Sequence, residues 1–292
     1  MADVSVNGVK LFYQLTGNGD FLMHVPGAVV AHEGYAAVTP GMAKHFTVLD
    51  FDPRGYGFSD RPQQRYTFDV WADDMVGLLD ALEIERTHVH GGSMGSSLAV
   101  HFAAKYPDRV HGLVLSGCTA KSDYMSKLQF EVWKDLARGY GTNSLELAYA
   151  LCSESFSRRF LDTNDGIALV NGLAENAGRN VGVDVLCDAC DALIDIDVTK
   201  ELVKITAPTL VIVGDGDILT PADQGPSGAG GRYIFDHLDS APVREFVVIE
   251  NSGHANLMDN PDQSNQAVID FLLRVSAGSL NTAKNGVSNA GH

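Results

Sequence analysis

Before residue 26 apolar residues cluster in three short runs, VSVN, VKLFYQLT and FLMHV, the first of them alternating with polar ones. A period of two marks strands, and Asn7-Gly8 between the first two runs predicts a tight hairpin turn. An irregular loop, PGAVVAHEGY, then leads to a strand from Phe46, FTVLDFD. From Thr67 to Leu82 the period lengthens: Phe68, Trp71, Met75, Leu78, Leu79 and Leu82 share one helix face. THVHG is the next strand, Met94 to Lys105 a helix stopped at Tyr106-Pro107, and VHGLVLSG another strand. Such alternation predicts an α/β fold with a largely parallel sheet covered on both faces.

The strand signal disappears from about Lys121 to Glu201. This stretch is acidic and helical, with SKLQFEVWKDLARGY, SLELAYALCSESFSRRFL and DVLCDACDALIDI as its helices. Strands resume at TLVIVGDGD and REFVVIENSGH, followed by a helix near Gln263 to Val275. A helical block inside a sheet pattern predicts a cap on one core. The expected division is core over 1–120 and 202–277, cap over 121–201, and a disordered polar tail over 278–292. Residues 224–232 (QGPSGAGGR) are expected to form a flexible loop.

Composition narrows the function classes. The 292 residues carry a formal charge of −16 with no basic cluster, which argues against nucleic-acid partners and anionic membrane surfaces. No apolar run approaches the roughly 18 residues of a membrane span, and MADVSVNGVKLFYQ does not read as a signal peptide. Four cysteines in this length suggest a reducing, cytoplasmic setting. Cys187 and Cys190 form a C-x-x-C pair that no second pair or histidine completes, so two small apolar residues on one helix face are the better reading. The expected partner is a small-molecule substrate, with no cofactor and no metal. A homo-oligomer is left open.

Candidate chemistry lies where the apolar strands stop. Ser93 occupies Gly91-Gly92-Ser93-Met94-Gly95, a G-x-S-x-G turn between a strand and a helix. A glycine turn with an inert serine would give the same letters. A serine hydroxyl is a weak nucleophile at neutral pH, so it needs a base, and the base an orienting acid. His254 follows EFVVIE and a Ser-Gly turn, and is the candidate base. Asp217 follows TLVIVG and is the candidate acid, with Asp215 as a competitor that reads equally as a turn-former. Each of the three lies just past a separate apolar strand, in the chain order Ser, Asp, His.

From Val4 to about Val275 the chain resembles the α/β-hydrolases. Beyond GGSMG it shows Asp52-Pro53-Arg54-Gly55-Tyr56-Gly57-Phe58-Ser59-Asp60, similar to the family's D-x-R-G-x-G-x-S loop. Tyr106 to Val110 follows the nucleophile helix, Thr209 to Pro221 resembles the acid segment, and Ser252-Gly253-His254 the histidine turn. The resemblance implies an eight-stranded, mostly parallel sheet with an inserted cap. It also implies an oxyanion hole made by the backbone N–H groups of Ala28 and Met94. The serine excludes the branches with an aspartate nucleophile, the epoxide hydrolases and haloalkane dehalogenases. The elbow, Thr220-Pro221 and Gly230 to Ile234 look most like enol-lactonases and related carboxylesterases. Carbon–carbon hydrolases of ring-cleavage products are the alternative, and a non-catalytic ligand receptor on the same fold a further one. His32, Trp133 and Tyr124 are candidate substrate contacts, beside Glu33, Phe130 and Met125.

Overall fold

The computed structural model describes residues 2–280 and 286–289. β1 (Ala2–Val6) and β2 (Val9–Gly17) form an antiparallel hairpin whose turn residues Asn7 and Gly8 both have positive φ, 48° and 81°. That pair of angles is the hairpin turn that the Asn-Gly sequence favours. β3 (Phe21–Val25), α1 (Thr39–Met42), β4 (Thr47–Phe51), α2 (Phe68–Ala81), β5 (Thr87–Gly92), α3 (Met94–Lys105) and β6 (Val110–Ser116) follow. The Thr67 hydroxyl caps α2 by accepting the Val70 N–H at 3.3 Å.

A short β7 (Thr119–Lys121) leads into five helices: α4 (Tyr124–Tyr140), α5 (Leu145–Ser155), α6 (Arg158–Leu161), α7 (Asn164–Asn180) and α8 (Val183–Ile194). Asp123, Ser144, Ser157 and Thr163 each cap the helix that follows, which supplies four starts within about forty residues. β8 (Thr209–Gly214), β9 (Ala229–Gly230), α9 (Gly231–Asp236), β10 (Arg244–Ile249), α10 (Asn256–Asp259), α11 (Pro261–Ser276) and β11 (Gly286–Asn289) complete the chain.

The main sheet runs β1-β2-β4-β3-β5-β6-β8-β10-β11, antiparallel at β1·β2 and β2·β4 and parallel thereafter. Alternation along each strand sorts side chains to two faces. Met23, Val89, Leu113 and Val211 pack with Trp71, Met75 and Leu78 of α2 and Leu98 and Phe102 of α3. Leu22, Val114, Leu210 and Ile212 pack on the other face against Met42 and the α11 residues Val268, Phe271 and Leu272. The four cysteines are buried free thiols, with Cys190 in the core cluster that α8 shares with α4.

Two expectations are corrected. Residues 224–232 are not a free loop: β9 pairs antiparallel with β7, and the Gly225 N–H donates to Asp123 Oδ2 at 2.8 Å. In the tail expected to be disordered, Gly286–Asn289 adds a ninth strand parallel to β10. Without it β10 would leave a row of backbone donors and acceptors unpaired at the sheet edge. The rest of that expected segment, 281–285 and 290–292, lies outside the described residues.

Candidate active site

β5 delivers Ser93 to the carboxyl end of the sheet in a backbone that L residues rarely adopt, φ 56° and ψ −125°. The turn is over-determined by its neighbours. The Ser93 N–H donates to Ser116 O in β6 at 2.9 Å, and the Ser96 N–H and hydroxyl both donate to Ser93 O. A Cβ at Gly91 would collide with the Gly95 carbonyl, and one at Gly95 with the Val25 carbonyl. Strand, helix and the end of β3 therefore approach so closely that only glycine fits at both positions.

His254 comes from the loop after β10. The Asp215 carboxylate accepts the Asn251 and Ser252 N–H groups at 2.9 and 3.0 Å, and Gly253 donates to Asp259 Oδ2 at 2.6 Å. So held, His254 Nε2 lies 2.7 Å from Ser93 Oγ, and Nδ1 lies 3.1 Å from Asp217 Oδ2. The Thr220 hydroxyl sits between them, 2.9 Å from His254 Nδ1 and 3.1 Å from Asp217 Oδ2. Asp217 Oδ1 accepts the Leu219 and Thr220 N–H groups, each at 2.9 Å. Burial works to raise the Asp217 pKa; attraction to His254, its hydrogen bond and the two backbone donors outweigh it and hold the carboxyl below its usual range. An ionised Asp217 favours the proton on Nδ1 and leaves Nε2 as acceptor for the serine.

β3 ends beside the elbow. The Tyr35 hydroxyl lies 2.9 Å from both Val25 O and His90 O, bridging the start of the loop at 26–28 to β5. A Cβ at Gly27 would come within 3.2 Å of Ser93 Cβ. Among the described residues, the N–H groups of Ala28 and Met94 donate to no protein acceptor. His24, the other histidine of this region, is buried in β3, bonded to Asp50 at 2.7 Å and stacked on Tyr35.

Ser93 and His254 open on a cavity with about 110 Å³ of room for the centre of a water molecule. Its walls are Gly27 to Val30, Tyr35, Ser116, Trp133, Leu151, Cys152, Ser155, Phe156, Leu173 and Ala255 to Met258. A family model described as alpha/beta hydrolase fold matches residues 21–261. The chain belongs to this family. The α/β-hydrolase enzyme expected from the sequence therefore stands.

Relatives of this hydrolase bear different activity names. It is 34% identical over 170 residues to the 2-hydroxymuconate semialdehyde hydrolase of Pseudomonas sp. (strain CF600), covering 57% of this chain and 58% of that one. It is 29% identical over 277 residues to the human serine hydrolase BPHL, covering 93% and 86%. The crystal structure of the enol-lactonase from Burkholderia xenovorans LB400 superposes with a TM-score of 0.81 at 25% identity, covering 93% of this chain and all of that one.

The hydrolase places the remaining candidates unevenly. Trp133 lines the cavity, with its indole N–H donating to Glu154 Oε2 at 2.8 Å, and Phe130 packs behind it. Tyr124 does not: it is 71% exposed on the outer face of α4, and its neighbour Met125 is exposed as well. α4 turns Ser126, Gln129, Phe130, Trp133 and Ala137 inward, and residue 124 falls on the opposite side. His32 does not line the cavity either. Its Nδ1 lies 2.7 Å from Asp52 Oδ1, and Glu33 is exposed. Burial opposes protonation of His32, but the hydrogen bond and charge of Asp52 raise its pKa. His32, Glu33 and Asp52 bring three ligand atoms within 4.8 Å, as do Asp20, His88 and His111, and neither group includes Ser93 or His254. The roles of Thr220, Tyr35 and Asp259 at the site are not assigned from the sequence. Thr220 carries a weak signal, a hydroxyl three residues after an aspartate at a strand end.

Proposed function

We propose that this hydrolase cleaves a small-molecule carboxylic ester or lactone through an acyl-enzyme formed on Ser93. The observation that carries the reading is the unbroken chain Ser93 Oγ, His254 Nε2, His254 Nδ1, Asp217 Oδ2, with steps of 2.7 and 3.1 Å, opening on an apolar cavity. In this mechanism Ser93 attacks the carbonyl carbon as His254 Nε2 takes its proton. The Ala28 and Met94 N–H groups, uncommitted elsewhere, receive the oxyanion. His254 then protonates the departing alkoxide, and Asp217 stabilises the transient imidazolium. Water repeats the sequence on the acyl-enzyme and frees Ser93. The substrate is a small molecule, and the charge of −16 fits neither nucleic acid nor an anionic membrane as a partner.

Carbon–carbon hydrolysis is the second reading, favoured by the 34% identity to the semialdehyde hydrolase. A fluorophosphonate probe and a panel of esters, lactones and ring-cleavage dienones test both. Labelling that vanishes in Ser93→Ala, with turnover of esters or lactones lost by about 10³-fold or more, is expected. Labelling without turnover of any ester or lactone would discard the first reading.

A further inference from the structure

We infer that the cavity takes an acyl group that is uncharged, and rejects one ending in a carboxylate. This rests on the ester or lactone reading above and names the substrate class for it. The apolar part of the wall is built from Val29, Val30, Leu151, Leu173, Leu257 and Met258. Among the described residues no lysine or arginine lines it. Arg158 and Arg159, which follow the lining residue Phe156, are exposed and line outer grooves shared with Asp215 and Asp259.

Nor do most of the wall's polar side chains wait for an anion, and Ser155 brings a neutral hydroxyl with no charge. The Trp133 indole N–H is committed to Glu154, the Tyr35 hydroxyl to backbone carbonyls and the Asn256 amide to His254 O. Ser116 Oγ is paired with His90 Nε2 at 3.0 Å. Burial pushes the Cys152 thiol up to about 11, so it faces the cavity as a neutral group. Among the described residues His254 is the one lining base, and an ionised Asp217 already stands behind it. A carboxylate brought into such a wall loses its water and gains no cation in return, while the Ala28 and Met94 N–H groups are taken by the oxyanion; this is far more costly than burying a methyl group. The overall charge of −16 opposes the approach of an anion as well.

A matched pair of esters tests this: p-nitrophenyl hexanoate and mono-p-nitrophenyl adipate, which share a six-carbon acyl chain and differ in the terminal methyl or carboxylate. The expected kcat/KM of the wild-type protein is at least about a hundredfold lower for the anionic ester, mainly through KM. Leu173→Arg, a partly buried wall position on α7, should narrow that ratio at least about tenfold by supplying the missing partner. Equal or preferred turnover of the adipate ester by the wild type overturns the inference and leaves the serine-hydrolase reading intact. A ratio unchanged in a folded L173R variant also counts against it. If neither ester shows Ser93-dependent turnover, both readings fall.

Discussion

Replacing Ser93 by glycine should destroy activity and make the protein more stable. At φ 56° and ψ −125° the Ser93 backbone lies where a Cβ is unfavourable, at a cost of about 1–3 kcal/mol. Glycine removes that cost but gives the unfolded chain extra freedom, worth roughly 0.4–1 kcal/mol against the native state. Ser93→Ala is the proper reference, because it keeps the Cβ and loses the same 2.7 Å hydrogen bond to His254. The difference between the two variants then isolates the strain. Taking the middle of both ranges, Ser93→Gly should exceed Ser93→Ala by about 1 kcal/mol, a rise in Tm of very roughly 2–4 °C for a chain near this size. Urea midpoints and thermal melts followed by circular dichroism read it directly. Equal stability, or a less stable glycine variant, would mean that the elbow is relaxed and the argument from its dihedral angles is wrong.

Asp217→Asn should lower kcat by about 10³-fold or more, since asparagine disturbs the Nδ1 proton and cannot stabilise an imidazolium, whereas Asp215→Asn should stay within about tenfold. Steady-state kinetics on one ester compares them, and a larger loss at Asp215 would reverse the assignment. Tyr35→Phe should lower kcat about tenfold with KM little changed, because the lost hydroxyl ties the loop at 26–28 to β5; a pure KM effect would place Tyr35 in binding instead. Stability should fall in acid. Burial, followed by the neighbouring His111 and Arg86, depresses the His88 pKa to about 3. Between about 6.5 and 3 the unfolded chain therefore binds a proton that the folded one refuses, and stability drops by roughly 1.4 kcal/mol per pH unit from this group as pH falls. In His88→Phe the urea midpoint should vary less steeply over that window, and an unchanged slope would refute the account.

The sheet and the three residues at its edge were legible because each sits where an apolar strand ends. Strand ends are marked in sequence by glycine and by the loss of alternation, as at Gly91-Gly92 and Gly214. The cap was legible as helices but less so as a wall. Tyr124 and Trp133 belong to one apolar-rich stretch, and the helical period that separates them becomes decisive once Ser126, Gln129, Phe130, Trp133 and Ala137 are taken as a single face. His32 was misplaced for a different reason. Its partner Asp52 lies twenty residues away at the end of β4, and loop polarity alone gives no direction. β11 left little trace, because four small or polar residues gain their ladder from β10 and have no strong pattern of their own.

Asp259 has a consequence for how such a protein diversifies. Its carboxylate holds Gly253, next to the histidine, and also the Ser157 N–H and hydroxyl at 2.8 Å, while the Ala255 N–H reaches Ser155 O at 2.8 Å. A Cβ at Gly253 would press on Ser155 and Phe156. The helical lid and the loop bearing the histidine are thus laced together across about a hundred residues of chain. A chimera that imports a lid from a relative to acquire its specificity must import the 155–157 segment together with a matching 253–259 loop. Exchanging the lid alone would change what is bound and unseat the histidine in the same stroke, so these two stretches are best inherited as one unit.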